Sequence, residues 1–352
     1  MNFRNYLRKQ GELHPAVEPQ DIVKMIYQAA FGAEHLLEDV EKAYSYFMEE
    51  YEAVSASAQE PIYENISEDI CRVNLAAWKA KGLQADWLFR IFAASAIEAK
   101  TGEKKFFSCL EEADEEIAEG RLNFTYEVWE VFRKKYLENG IRAVHHSQRY
   151  REEEKPAYRI VRRCFMRLVP ILEKAAHTEH GKRPLIIAID GHAASGKTTM
   201  AEQLRDVLCG DIIHMDDFFL PPWLRTEERF SKAGNNVHHE RFAEEVLPYL
   251  MGTKPFEYTR FDCSRMEFDP VPVRVEAGDW RIIEGSYSHH PELGDYADIK
   301  VFSTVQPELQ MERIIARNGS EMAEIFRNRW IPMEEEYFSA YGIREKADII
   351  IF

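Results

Sequence analysis

The sequence predicts an α/β domain, a parallel sheet with helices on both faces, preceded by an all-α half. Three observations carry this. Residues 1 to about 177 are patterned almost throughout for helix. Beyond a polar stretch at 178–183 (TEHGKR), short apolar runs of strand length alternate with helical patterns. The first of those runs leads directly into a glycine-rich loop and then a helix.

The 352 residues suit two domains, 1–177 and 184–352, joined by 178–183. Hydrophobic residues make up 45% and charged residues 30%, the balance of a soluble globular chain. The net charge is −16 and neither half is basic, which argues against nucleic acid as a partner. The five cysteines are scattered and free of CxxC spacing, so neither a disulfide framework nor a zinc site is expected. The opening MNFRNYLRKQ has no apolar signal core, and no run is long enough to span a bilayer. A cytoplasmic location is the expectation, with no membrane partner; a homo-oligomer is left open.

In the first half, apolar spacing predicts a helix over 18–31, through Ile22, Met25, Ile26, Ala29 and Ala30. Helices follow over 35–54, 67–81 with Ser67 as cap, and from Asp86 to near Gly102. Three more cover 103–119, 125–138 and, opened by Pro156, a long stretch to Ala176. Two features here have a chemical reading, as a second site. Phe31-Gly32-Ala33-Glu34-His35 sets an acid and a histidine at a helix junction, and His145 and His146 lie in a loop. A helix break and surface histidines are the plainer account. The acidic run 111–116 reads as a solvated helix face.

In the second half, strands are expected at 185–189, 212–215, 280–283, 299–303 and 348–352. Helices are expected at 197–208, 239–251, 307–317 and 320–341. The segment Gly191-x-x-x-x-Gly196-Lys197-Thr198 falls between the first strand and the first helix. That is the phosphate-binding P-loop pattern in its required context. A loop that wraps a phosphate with backbone N–H groups needs small side chains, and Gly191, Ala193, Ala194, Ser195 and Gly196 comply. The helix N-terminus adds further N–H groups and partial positive charge. Lys197 would reach the β- and γ-phosphates, and the Thr198 hydroxyl would bind Mg²⁺.

Acids follow the next strands. Strand 212–215 ends in Asp216-Asp217-Phe218-Phe219, beside the γ-phosphate in a parallel sheet of this kind. Asp216 would take the proton of an attacking hydroxyl and share in organising the metal. Strand 280–283 ends in Glu284-Gly285, a carboxylate for the metal. The helix from Pro307 carries Arg313 and Arg317 on one face, placed to neutralise the transferring phosphoryl group. Arg327 and Arg329 stand in the next helix, where a lid would lie.

On these residues the second half resembles the uridine kinase and nicotinamide riboside kinase group of P-loop kinases. The resemblance is carried by Gly191 to Thr199 (GHAASGKTT), Asp216 to Phe219 (DDFF), Glu284-Gly285 and the Arg313–Arg317 helix. It implies a five-stranded parallel sheet, Asp216 as base with Asp217 as its neighbour, Glu284 near the metal, and ATP and Mg²⁺ as cofactors. The acceptor would be a small, nucleoside-like molecule bearing a hydroxyl. In this group an N-F-D-H-P segment holds ribose, and the matching stretch is Asn236-Val237-His238-His239-Glu240, with His238 in place of the aspartate. The Y-D-F-x-x-H-S-R segment corresponds to 258–265. Tyr258, Ser264 and Arg265 match, while Thr259 and Cys263 replace the aspartate and the histidine. Asp217, His238, Tyr258 and Arg265 are the expected acceptor-side residues.

The expected activity is transfer of the γ-phosphoryl group of ATP to that hydroxyl. The alternative is a nucleotide-binding module that regulates the helical half or a partner. A helical half with an enzymatic activity of its own is also compatible with the sequence.

Overall fold

Seven consecutive buried residues, Leu185–Gly191, form the central strand β1 of the second half. Four more strands join it: β2 (Asp211–His214), β3 (Trp280–Glu284), β4 (Ile299–Ser303) and β5 (Ile349–Ile351). The order is β5-β4-β1-β3-β2 and every pairing is parallel. A strand flanked on both edges and covered on both faces must be apolar throughout, which is why β1 reads LIIAI. The computed structural model describes residues 3–33, 39–96 and 102–352.

Helix α1 (Lys197–Leu208) starts where Gly196 takes φ 97° and stops where Cys209 takes φ 56°. It packs on β1, β3 and β2, with Met200, Ala201, Leu204, Val207 and Leu208 buried. Opposite, Ile186, Ala188, Ile213 and Ile283 meet Phe218, Phe242, Val246 and Leu250 in one apolar cluster. The expected helix 239–251 is broken into His239–Glu245 and Leu247–Leu250, with Pro248 at the restart. Past α2 (Pro307–Asn318), the expected helix 320–341 is divided by a π-helical turn, Phe326–Trp330. α3 (Ile331–Tyr341) follows that turn. Strands β1, β2, β3 and β4 fall within one or two residues of the sequence expectation.

The chain divides into two compact units, Met1–Arg167 and Leu168–Phe352. The helix Val169–His177, grouped by sequence with the first half, packs against β4 in the second unit. The first unit is helical for most of its described length but also holds a three-stranded antiparallel sheet, Tyr63–Asn65, Ile70–Asn74 and Tyr158–Arg162. Two helix expectations fail there. Ser67 caps no helix over 67–81; its hydroxyl closes a turn onto Ile70 N, and Cys71 and Val73 alternate inward along a strand. Asn74 then caps the short helix Leu75–Ala80. Pro156 opens no long helix, because Ile160 and Val161 pair across to Arg72 and Cys71. β-branched residues on a pleated, half-buried surface outweighed the helical periodicity.

His146 is no surface histidine. It is buried, with Nδ1 2.7 Å from Asp21 Oδ1 and Nε2 2.6 Å from the Tyr158 hydroxyl. His145 and the junction residues Phe31, Gly32 and Ala33 are described, whereas Glu34 and His35 lie outside the described residues. Among the described residues no helix is long and apolar enough to cross a membrane.

Candidate active site

The site is built on three adjacent strand tips. Register sets Glu284 beside Ile189 on one side and His214 on the other, so the ends of β1, β3 and β2 are level. The crevice beyond such tips is where open α/β sheets bind ligands. Gly191 leaves β1 with φ 132°, and a Cβ there would lie 2.0 Å from the Ser303 carbonyl oxygen on β4. Ala194 takes φ 56°, a left-handed turn that a small side chain tolerates best.

Lys197 Nζ donates to the carbonyls of Gly191 (2.8 Å) and His192 (2.9 Å) and to Ser286 Oγ (3.2 Å), so the ammonium is held over the loop. Thr198 Oγ1 lies 3.3 Å from both oxygens of Glu284. His214 Nδ1 is 2.6 Å from Glu284 Oε1, and that hydrogen bond raises the His214 pKa. A hydroxyl and a carboxylate about 3 Å apart match neighbouring corners of an octahedron with metal–oxygen bonds of about 2.05 Å. The pair therefore fits Mg²⁺, with His214 orienting the carboxylate from behind.

Asp216 and Asp217 lie in the tight turn Met215–Phe218 after β2. Asp216 opens to solvent at the mouth of the crevice, where Gly285 brings its backbone close. Crowding by protein and then the charge of Glu284 raise its pKa. A raised carboxylate pKa suits a proton acceptor, whose pKa should approach the working pH. Asp217 is buried, accepts from the Tyr258 hydroxyl (2.8 Å) and pairs with Arg260 (3.3 Å). Burial raises its pKa, against the pull of the Tyr258 hydrogen bond.

Arg313 donates to Ala194 O (3.0 Å), and Gln310 one turn earlier donates to Ala193 O (3.0 Å), so α2 lies over the phosphate loop. The other expected residues stand apart from it. Arg317 binds Asn318 on the exposed side of α2. Arg327 pairs with Glu324, and Arg329 lies over the rings of Phe230 and Trp330. His238 spends its Nδ1 on Arg241 N, capping a helix. Arg265 is engaged by Asp262, Glu267 and Asp269 on an exposed hairpin. A separate groove of about 560 Å³ is lined by Arg229, Lys232, His239, Glu240 and Glu292, with no phosphate-loop residue among its walls.

Besides Gln310 on α2, four residues of the site escaped the sequence reading. Ser286 touches Lys197, and Glu334 accepts from Ala193 N (2.9 Å) and from Ser286 Oγ (2.7 Å). His214 backs Glu284. Asp190 accepts from Gly191 N, Tyr287 N, His289 N and the Tyr337 hydroxyl, tying the tip of β1 to the loop after β3 and to α3. Ser286 and His214 were findable, each standing two residues from a strand-tip acid. Glu334 sits in Glu334-Glu335-Glu336, which reads as a solvated face.

No protein-family model matches the chain. Its second half is similar to the uridine kinase of Limosilactobacillus reuteri, 31% identical over 152 residues, which is 41% of this chain and 69% of that protein. Uridine-cytidine kinase B of Dictyostelium discoideum is 30% identical over 159 residues, 41% of this chain and 63% of that protein. The uridine kinase of Geobacillus kaustophilus is 28% identical over 159 residues, covering 42% of this chain and 72% of that protein. A solved structure of a possible uridine kinase from Bacillus stearothermophilus aligns with TM-score 0.43 at 20% identity, over 54% of this chain and 99% of that one. The chain is a phosphotransferase with a hydroxyl acceptor, and through its C-terminal half it belongs to the uridine kinase family.

Proposed function

We propose that the protein is an ATP- and Mg²⁺-dependent kinase that phosphorylates a hydroxyl of a nucleoside-like small molecule. The observation that carries the reading is the level meeting of three strand tips, which brings Lys197 and Thr198, Asp216, and Glu284 around one crevice. The loop amides and Lys197 bind the β- and γ-phosphates. Thr198 and Glu284 would hold Mg²⁺, which would supply charge neutralisation. Asp216 accepts the proton of the acceptor hydroxyl as its oxygen bonds to the γ-phosphorus and the bond to the bridging oxygen of ADP breaks. Arg313 stands over the loop from α2 to offset charge on the transferring group.

Acceptor selection falls to the wall beyond Asp216. There Asp217 and Tyr258 form a buried pair, and His238 replaces the acid that the family uses for ribose. A site made of paired polar groups rejects a molecule that leaves them unmatched, so the departure at His238 bears on which nucleoside-like acceptor is taken.

The test is acceptor-stimulated ADP release with Mg-ATP over a panel of nucleosides, ribosides and sugars. Lys197→Met should lower turnover at least about 100-fold, and Asp216→Asn by about 100- to 10,000-fold, both with unchanged melting behaviour. Turnover near that of the unaltered protein in Asp216→Asn would remove it as the base. ADP release that no acceptor stimulates would favour a regulatory nucleotide module instead.

A further inference from the structure

Glu334 brings a carboxylate into the phosphate loop from the first turn of α3, and it is only 6% exposed. Its Oε2 accepts from the amide of Ala193 (2.9 Å) and its Oε1 from the hydroxyl of Ser286 (2.7 Å). The same Ser286 oxygen accepts from Lys197 Nζ (3.2 Å). A continuous chain of hydrogen bonds thus runs from the ammonium meant for the phosphates, through one hydroxyl, to a buried carboxylate, and back to a loop amide.

The chemistry of that chain is specific. Loop amides of this type exist to receive an anion. Here one of them already holds one, and the lysine is folded onto the Gly191 and His192 carbonyls. Glu334 has two donors aimed at its two oxygens; burial raises its pKa, while Lys197 and the bonds from Ser286 and Ala193 N favour the carboxylate form. A triphosphate entering the loop would bring like charge against it in a site largely closed to water, where such repulsion is least screened. α3 follows directly on the π-helical turn that carries Arg327 and Arg329, so a shift of Glu334 would be felt in the segment where a lid would lie.

We propose that Glu334 is a positioning residue that stands in for the terminal phosphate. It holds the Ala193 amide and the Ser286–Lys197 pair in place before the nucleotide arrives, then yields both to the triphosphate. The inference rests on the nucleotide-binding reading above. Its consequence runs against ordinary intuition: removing this buried, hydrogen-bonded charge tightens ATP binding. Glu334→Gln keeps the shape, retains an acceptor for Ala193 N and offers Ser286 a donor, while losing the charge. A purely structural role predicts the reverse, since weakening the loop would loosen every nucleotide.

The experiment is calorimetric titration of the full chain with Mg-ATP and with AMP. The variants are Glu334→Gln, Glu336→Gln and Lys197→Met. Glu336 is exposed on the same helix, so its variant matches the change in net charge. The expected result is ATP bound about tenfold tighter or more by Glu334→Gln, with AMP and Glu336→Gln unchanged. ATP affinity that is unaltered or lower in Glu334→Gln overturns the proposal while leaving the kinase reading intact. If the unaltered protein binds no ATP, or Lys197→Met binds it equally well, the nucleotide-binding reading falls and this one with it. Should Glu334→Gln not fold, hydrogen exchange of the unaltered protein decides. Mg-ATP should speed exchange in Ile331–Tyr341, and slower or unchanged exchange there overturns the displacement.

Discussion

Asp190→Asn is expected to weaken the second unit by about 3 kcal/mol. Asp190 is fully buried at the tip of β1 and has four donors around it. Gly191 N (2.7 Å) and Tyr287 N (3.1 Å) face Oδ1, while His289 N (2.9 Å) and the Tyr337 hydroxyl (2.8 Å) face Oδ2. In asparagine the remaining oxygen keeps the first pair of bonds, now without charge. The amide nitrogen must face the second pair. The Tyr337 hydroxyl can rotate and accept from it, but His289 N cannot, and a buried donor is left pointing at another donor. Bonds to a charged group contribute about 1.5–3 kcal/mol each, and an unmet buried group costs about 1–3 kcal/mol. Weakening of two bonds and loss of one gives the stated figure. The assay is native-state hydrogen exchange of Leu185–Gly191, which reports opening of this unit alone. A loss of 3 kcal/mol appears as exchange about 150-fold faster. A change under about 1 kcal/mol would refute the claim that this carboxylate clamps β1 to the loop after β3.

Gly191→Ala should abolish nucleotide binding by calorimetry, because a Cβ at φ 132° would lie 2.0 Å from the backbone oxygen of Ser303 and neither strand can retreat. The first unit should lose stability on acidification. Burial lowers the His146 pKa despite its bond to Asp21, so the folded form resists a proton that the unfolded chain accepts below about 6.5. Asp21 adds to this at lower pH. Burial works against its ionisation, but hydrogen bonds from His146, Ser147 and Glu18 outweigh it and hold its pKa below the usual value. That stabilisation is present above the ordinary carboxylate pKa and is lost as pH falls through the lowered one. Chemical denaturation at pH 8 and pH 5 (about 1.5 units to either side of 6.5) checks the sign, and equal stability at both would contradict it. Arg265→Ala should leave kcat/KM within about twofold, since its guanidinium is taken up by surface carboxylates on the hairpin, and exposed pairs contribute little; a tenfold loss would return it to the acceptor site.

The order of the chemistry was legible along the chain. Gly191 to Thr198, Asp216 and Glu284 each follow a β-branched run, and runs of that kind with helices between them leave a parallel sheet as the economical fold. Strand β1 was visible because a strand buried on both faces is apolar along its run; β2, β3 and β4 each keep a short apolar, β-branched stretch, and helix α1 showed in the spacing of Met200, Leu204, Val207 and Leu208. What escaped is what depends on distant partners. The strands at 70–74 and 158–162 carry mixed polar and apolar residues whose periodicity also suits a helix, and only their pairing across nearly ninety residues decides between the two. Burial of His146 against Asp21 is equally invisible locally.

The sequence by itself determined that this chain carries a phosphate-loop motif and brings two acids to the same crevice, because those features are written in consecutive residues and in strand ends of fixed order. Only the tertiary structure decided which side chains support them. Glu334, Ser286 and Asp190 acquire their roles from contacts made 141, 89 and up to 147 residues away. The same structure turned His238 to a helix cap and Arg265 to a surface ion cluster, although both stand at matching motif positions. A side chain's chemistry is set by what surrounds it in space, and one dimension records that only when neighbours in the chain are also neighbours in the fold.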